Sequence, residues 1–235
     1  LGGSRSASST VYMNPATHNN PPSFHHSITG LFLAGIITAT FWLSTDGWPV
    51  ISYRELRYEN VDRQENFYSC GPAALATIFS DFFGVQVSEN EFANFISHCS
   101  RQDPDNKSTK EIPENGASML DLKQASIKKG IPAKGYEIPK GNLGTILHEL
   151  SLPVLIHLDT PDEHFAVAVT QVGQRIVLAD PSWGMRVISL AELCRCWNGL
   201  ILAFAPNQRS ADRAKVVVRQ IQGKIVERMK TLQLS

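Results

Sequence analysis

Along this chain the hydrophobic positions change period near the middle. From Cys70 to Gly84 the Ala, Leu, Ile and Phe positions repeat at helical spacing, with Gly71 and Pro72 suited to a first turn and Gly84 to a stop. A second helix is predicted from Glu89 to His98, capped by Ser88 with Glu91 as its capping-box partner. Two more follow, Ser118 to Lys129 closed by Gly130, and Leu143 to Leu150. Between them Arg101 to Gly116 is a polar stretch with the length of a surface flap or an insertion. Then come short β-branched or alternating runs: Pro153 to Leu158, His164 to Val172, Arg175 to Asp180, Arg186 to Ile188 and Leu200 to Phe204. A short helix, Leu190 to Trp197, interrupts them. Helices first and strands after predict an α+β domain whose N-terminal helices pack on a C-terminal antiparallel sheet.

The flanks read differently. Residues 1–27 are rich in Ser, Asn, Pro, Gly and His with almost no aliphatic side chains, the composition of a flexible tail. Ile28 to Leu43 carries no charge, and with its neighbours, over residues 28–45, it approaches bilayer-spanning length; Trp42 and Trp48 suit the interface. It has no polar stripe, so it reads as a membrane anchor or signal segment rather than a core helix. No small-x-small cleavage site follows, which favours the anchor. Arg54, Arg57 and Arg63 after it outnumber Arg5 before it, which by the positive-inside rule keeps the next region in the cytoplasm. A hydrophobic segment ahead of a globular domain more often exports it, and the periplasmic side is the expectation taken here for the domain at 49–206. Residues 207–235 form a basic amphipathic tail, with Val218, Ile221, Ile225, Met229 and Leu232 on one helical face. That face can serve the chain's own domain, a secretion or assembly partner, or an anionic membrane surface.

Composition narrows the chemistry only a little. The 22 basic residues balance the 22 acidic ones, so nothing points to nucleic acid. Cys70, Cys99, Cys194 and Cys196 fit neither a disulfide framework nor paired zinc spacing. No cofactor or metal is expected. His157, Asp159, Asp162 and His164 include the right ligand types for a metal, but at no recognised spacing, and His157 reads as a satisfied core or sheet histidine.

Cys70 is the candidate nucleophile. At a helix N-terminus, unpaired N–H groups and the positive end of the macrodipole favour thiolate over thiol. A buried structural cysteine at such a position is as common, so the partners decide. His164 opens one strand and Asp180 ends the next; a hairpin through Gly173 brings both to one end of the sheet, where a carboxylate can orient an imidazole base. Gln64, shortly before Cys70, can lend its amide, with the Cys70 N–H, to an oxyanion.

These residues stand in motifs: Gln64-x-x-x-x-Ser69-Cys70-Gly71-Pro72-Ala73-Ala74-Leu75, His164-Phe165-Ala166-Val167, Ala179-Asp180-Pro181-Ser182-Trp183-Gly184 and Trp197-Asn198-Gly199. Together they resemble the bacteriocin-processing cysteine peptidases, papain-like enzymes that cut after the double glycine of leader peptides. The resemblance runs from about Arg63 to Phe204. It implies a papain-like fold, with Cys70 as nucleophile, His164 as general base and later acid, Asp180 as orienting carboxylate and Gln64 as oxyanion donor. Ser69 stands where the family often has Asp, and Ala74 where it often has Cys. No Gly-x-x-x-x-Gly-Lys-Ser/Thr loop occurs, so the expectation is a free-standing peptidase, not one fused to an ATP-driven transporter. The implied substrate is a peptide or protein precursor. Two rivals share these residues: an acyl transferase with the same triad, and a catalytically silent peptide-binding module of a secretion or assembly system.

Overall fold

A helix that is apolar on every side has to be central. In the computed structural model, α2 (Cys70–Thr77) has all its residues after Cys70 buried. The structure describes residues 52–101, 116–159 and 163–233. The expected tail, the 28–45 segment and nearly all of the Arg101 to Gly116 stretch lie outside these. Among the described residues no helix is long and apolar enough to cross a membrane.

The helix predicted to reach Gly84 changes character on the way. Thr77 Oγ1 donates back to the Ala73 carbonyl at 3.0 Å and accepts the Asp62 N–H at 2.9 Å. Such back-bonding loosens the ladder. From there Ile78–Phe83 continues as a π-helical turn, ended by Gly84 at φ +70°. α3 (Glu89–Arg101) starts at its expected Ser88 cap, and α4 (Met119–Lys128) starts one residue after Ser118, which was expected within the helix but caps it in a reciprocal box with Asp121.

Six antiparallel strands follow in the spatial order β1-β6-β2-β3-β4-β5. They are β1 (Ala133–Glu137), β2 (Val154–Leu158), β3 (His164–Val172), β4 (Arg175–Asp180), β5 (Gly184–Ser189) and β6 (Trp197–Phe204). α5 (Leu143–Leu150) precedes β2, and α6 (Leu190–Cys196) joins β5 to β6. Alternation divides the sheet between two cores. Phe165, Val167 and Val169 face the layer built from α2, α3 and α4, while Ala166 and Ala168 face Leu143, Leu147 and Leu193 of α5 and α6. Trp197, expected to end α6, instead opens β6 and is wholly buried.

Two elements stand outside the expected set. β1 (Ala-Lys-Gly-Tyr-Glu) is an edge strand with one buried residue, so it shows no apolar alternation. α1 (Tyr53–Arg57) is five residues held by a Ser52–Glu55 capping box. At the other end α7 (Gln208–Gln233) lays Ala214, Val218, Ile221 and Ile225 on the Ile78–Phe83 turn and β3, so the tail's apolar face is spent on its own domain.

Candidate active site

Cys70 begins α2, and nothing caps the helix with a side chain. The neighbouring Ser69 hydroxyl instead donates to the Asn66 carbonyl at 2.8 Å and accepts the Asn66 N–H at 3.1 Å. First-turn N–H groups are thereby left for whatever sits beside the sulfur. Gly71 lies close against α4 and the sheet: a Cβ there would be 3.1 Å from Leu122 and 3.3 Å from Phe165, tighter than ordinary contact.

On the sheet, β3 and β4 pair antiparallel, Val167 opposite Ala179, so the start of one and the end of the other meet. His164 Nε2 lies 2.9 Å from Asp180 Oδ1. With Nε2 held by the carboxylate, Nδ1 is the ring nitrogen left for the thiol, and Cys70 is near enough to favour the protonated ring. The structure thus brings Cys70, His164 and Asp180 together.

Asp180 is completely buried and fully used. Its Oδ1 also accepts the Ser182 N–H at 2.9 Å and the Trp183 N–H at 3.2 Å, and its Oδ2 accepts from Arg186 Nη1 at 3.0 Å. Burial pushes this carboxyl up, but the bond and charge of His164, then Arg186 and the Ser182 N–H, hold it below the usual carboxylate value. His164 feels the opposite contest. Burial disfavours its charge, yet the bonds to Asp180 and Cys70 and the negative charge they supply raise it from 6.5 to about 9.

The turn that carries Asp180 is clamped from outside. Tyr58 Oη donates to the Ser182 carbonyl at 2.7 Å, and Arg57 Nε donates to that of Trp183. Gly184 stands at φ +76° with its α-carbon against the Arg57 backbone, leaving no room for a side chain.

Gln64 sits beside this turn. Its N–H donates to the Pro181 carbonyl at 3.1 Å and its Oε1 accepts from Ser182 Oγ at 2.7 Å. Its Nε2 donates to the carbonyls of Asn66, at 3.0 Å, and Phe67, at 3.3 Å. An oxyanion role therefore requires the longer of these two bonds to be released.

Beside Cys70 opens a groove of about 670 Å³ whose walls include Phe67, Tyr68, Met119, His157, Phe165 and Leu200. Phe67 is 78% exposed and stands edge to face with Tyr68, an apolar rim to the groove. Another cavity of about 720 Å³, under α5 and α7, contains none of the reactive groups. Among the described residues no group of three His, Cys, Asp or Glu side chains is placed to hold a metal. His157 is the hydrogen-bonded sheet histidine expected, on β2 against Phe165, and it also lines the groove; Asp162 lies outside the described residues.

With this geometry in place, the comparisons decide the family. Residues 58–209 match the peptidase C39 family. The chain belongs to that family. It is a cysteine peptidase, of the class the motifs resemble. It is 31% identical, over 74% of its length and 77% of the relative's, to the probable functional amyloid protease FapD of Pseudomonas aeruginosa. The protein of the same description from Pseudomonas fluorescens is 30% identical over 66% of this chain and 64% of its own length. The peptidase domain of Streptococcus ComA, a bi-functional ABC transporter, superposes with a TM-score of 0.50 at 19% identity, covering 63% of this chain and 98% of that domain; the C39 fold is shared.

Sequence reasoning missed the supports of this C39 site. Arg57 and Tyr58 reach the Asp180 turn from the end of α1 and Arg186 reaches it from β5, so no spacing along the chain announces them, while Ser182 lies within the turn itself. Asn198 lay in a quoted motif without a role.

Proposed function

We propose that Cys70 attacks a peptide carbonyl as the thiolate of a thiolate–imidazolium pair. His164 then protonates the leaving amine, and water releases the acyl group from sulfur. Asp180 holds the imidazolium, and the oxyanion takes the Cys70 N–H together with a released Gln64 amide hydrogen. The observation that carries this reading is the His164–Asp180 bond at the end of α2 where Cys70 sits.

The substrate is a protein precursor. The relatives described as probable functional amyloid proteases favour a component of a functional amyloid over a double-glycine leader peptide. The 28–45 segment tethers the peptidase to the inner membrane, with the domain on the periplasmic side.

The test is cleavage of the candidate amyloid precursors and of double-glycine peptides, with products read by mass spectrometry. Precursor should be cut by the wild type and left intact by Cys70→Ala. Cleavage that survives Cys70→Ala overturns the mechanism, and cleavage only after double glycine overturns the substrate. Hydroxylamine added during turnover distinguishes transfer, because a hydroxamate product that outcompetes hydrolysis at low amine would make the chain a transferase.

A further inference from the structure

The motif Trp197-Asn198-Gly199 and the pair His157 and Asp159, unconnected in the sequence, form one cluster in the groove wall. Asn198 Nδ2 lies 2.8 Å from His157 Nδ1 and 2.9 Å from Asp159 Oδ1, and Asn198 Oδ1 accepts the Leu200 N–H at 3.0 Å. The amide orientation is fixed twice over. A backbone N–H needs the oxygen, and a carboxylate needs the nitrogen; a flipped amide would set donor against donor and acceptor against acceptor.

It follows that Nδ1 of His157 receives a hydrogen bond and carries no proton, so the ring proton is on Nε2. The 3.5 Å separation of Nδ1 from Asp159 Oδ1 does not compete, because that oxygen already takes the amide hydrogen. Nε2 has no partner among the described residues, yet no buried side-chain nitrogen or oxygen there is left unsatisfied. Nε2 is therefore open, in a residue that lines the groove with Cys70. The ring is held against Phe165, directly across from it in the β2–β3 register and next in sequence to His164.

We propose that His157 is a substrate-binding residue: its Nε2–H donates to a backbone carbonyl of the peptide lying in the groove beside Cys70. Asn198 is the positioning residue that fixes the tautomer. The proposal rests on the peptidase reading above but not on which precursor is cut.

Two reagents separate binding from nucleophilicity. Iodoacetamide has no peptide backbone and reports the sulfur alone; acetyl-Leu-Gly-Gly chloromethyl ketone must lie along the groove before it alkylates Cys70. In His157→Phe, which keeps a ring against Phe165, the iodoacetamide rate at Cys70 stays within about twofold. The peptidyl reagent should lose about three- to tenfold in second-order rate, the worth of one neutral hydrogen bond, through weaker reversible binding rather than a slower maximal rate. His157→Gln, which restores an N–H donor, should recover most of this loss. Equal falls with both reagents, or no fall with the peptidyl one, overturn the donor role. Wild-type protein whose Cys70 takes iodoacetamide but gains nothing from the peptide portion, either of this reagent or of a chloromethyl ketone carrying the three residues before the precursor's cleaved bond, overturns the groove as a peptide site. A Cys70 no more reactive than Cys194 fails the peptidase reading itself.

Discussion

Two histidines near the same end of the sheet are held by different partners, and the contrast shows what a partner's charge does to an imidazole. His164 is gripped at Nε2 by a buried carboxylate and is raised to about 9, a ring that keeps its extra proton at neutral pH. His157 is gripped at Nδ1 by a neutral amide donor, which selects one tautomer. A carboxylate makes an acid, whereas an amide makes a fixed donor.

The largest effect should come from removing the charged grip. Asp180→Asn is expected to lower kcat/KM by on the order of 10²- to 10⁴-fold, with a much smaller change in melting temperature. Loss of activity only in proportion to loss of folded protein would put the carboxylate's importance in the fold instead.

The pH profile sharpens the same point. Folding raises His164 from 6.5 to about 9, so it favours the protonated ring. The resulting stability is complete below about 6.5 and is lost as pH rises through about 9. With the imidazolium as the acid, kcat/KM should fall over the alkaline part of that window, and Asp180→Asn should bring the fall to lower pH. A limb that stays put in the variant means that another group sets it.

Arg186→Gln should have a smaller effect, about three- to tenfold on kcat, because Asp180 keeps His164 and two backbone donors after losing the guanidinium. The Asp180 carboxyl should rise, moving the acid limb to higher pH. Smallest is Asn198→Ala, a few-fold rise in KM with kcat unchanged, since freeing Nδ1 lets His157 adopt the wrong tautomer part of the time. A change in kcat there would break the division between the two histidines.

What was readable along the chain tracks how locally each feature is determined. β2, β3 and β4 announce themselves because burial on one or both faces demands runs of apolar side chains, and the β3–β4 hairpin alone brings His164 and Asp180 to one end of the sheet. β1 stayed hidden, since an edge strand with a single inward residue has little burial to advertise. The π-helical turn depends on what Thr77 bonds to, which is a tertiary fact. Arg186 was visible only as part of a strand, because its meeting with Asp180 follows from the β4–β5 register rather than from spacing. His157 was legible as a satisfied sheet residue, but its partner was not, because Asn198 comes from β6, some forty positions away.

The extent of the C39 match has a practical corollary. It ends at residue 209, while the oily strip formed by the Ile78–Phe83 turn and β3 is roofed by side chains from Ala214 onward. A protein trimmed to the homologous boundary would keep every reactive group yet leave that strip bare, inviting self-association. Expression work guided by homology alone should carry the chain through α7.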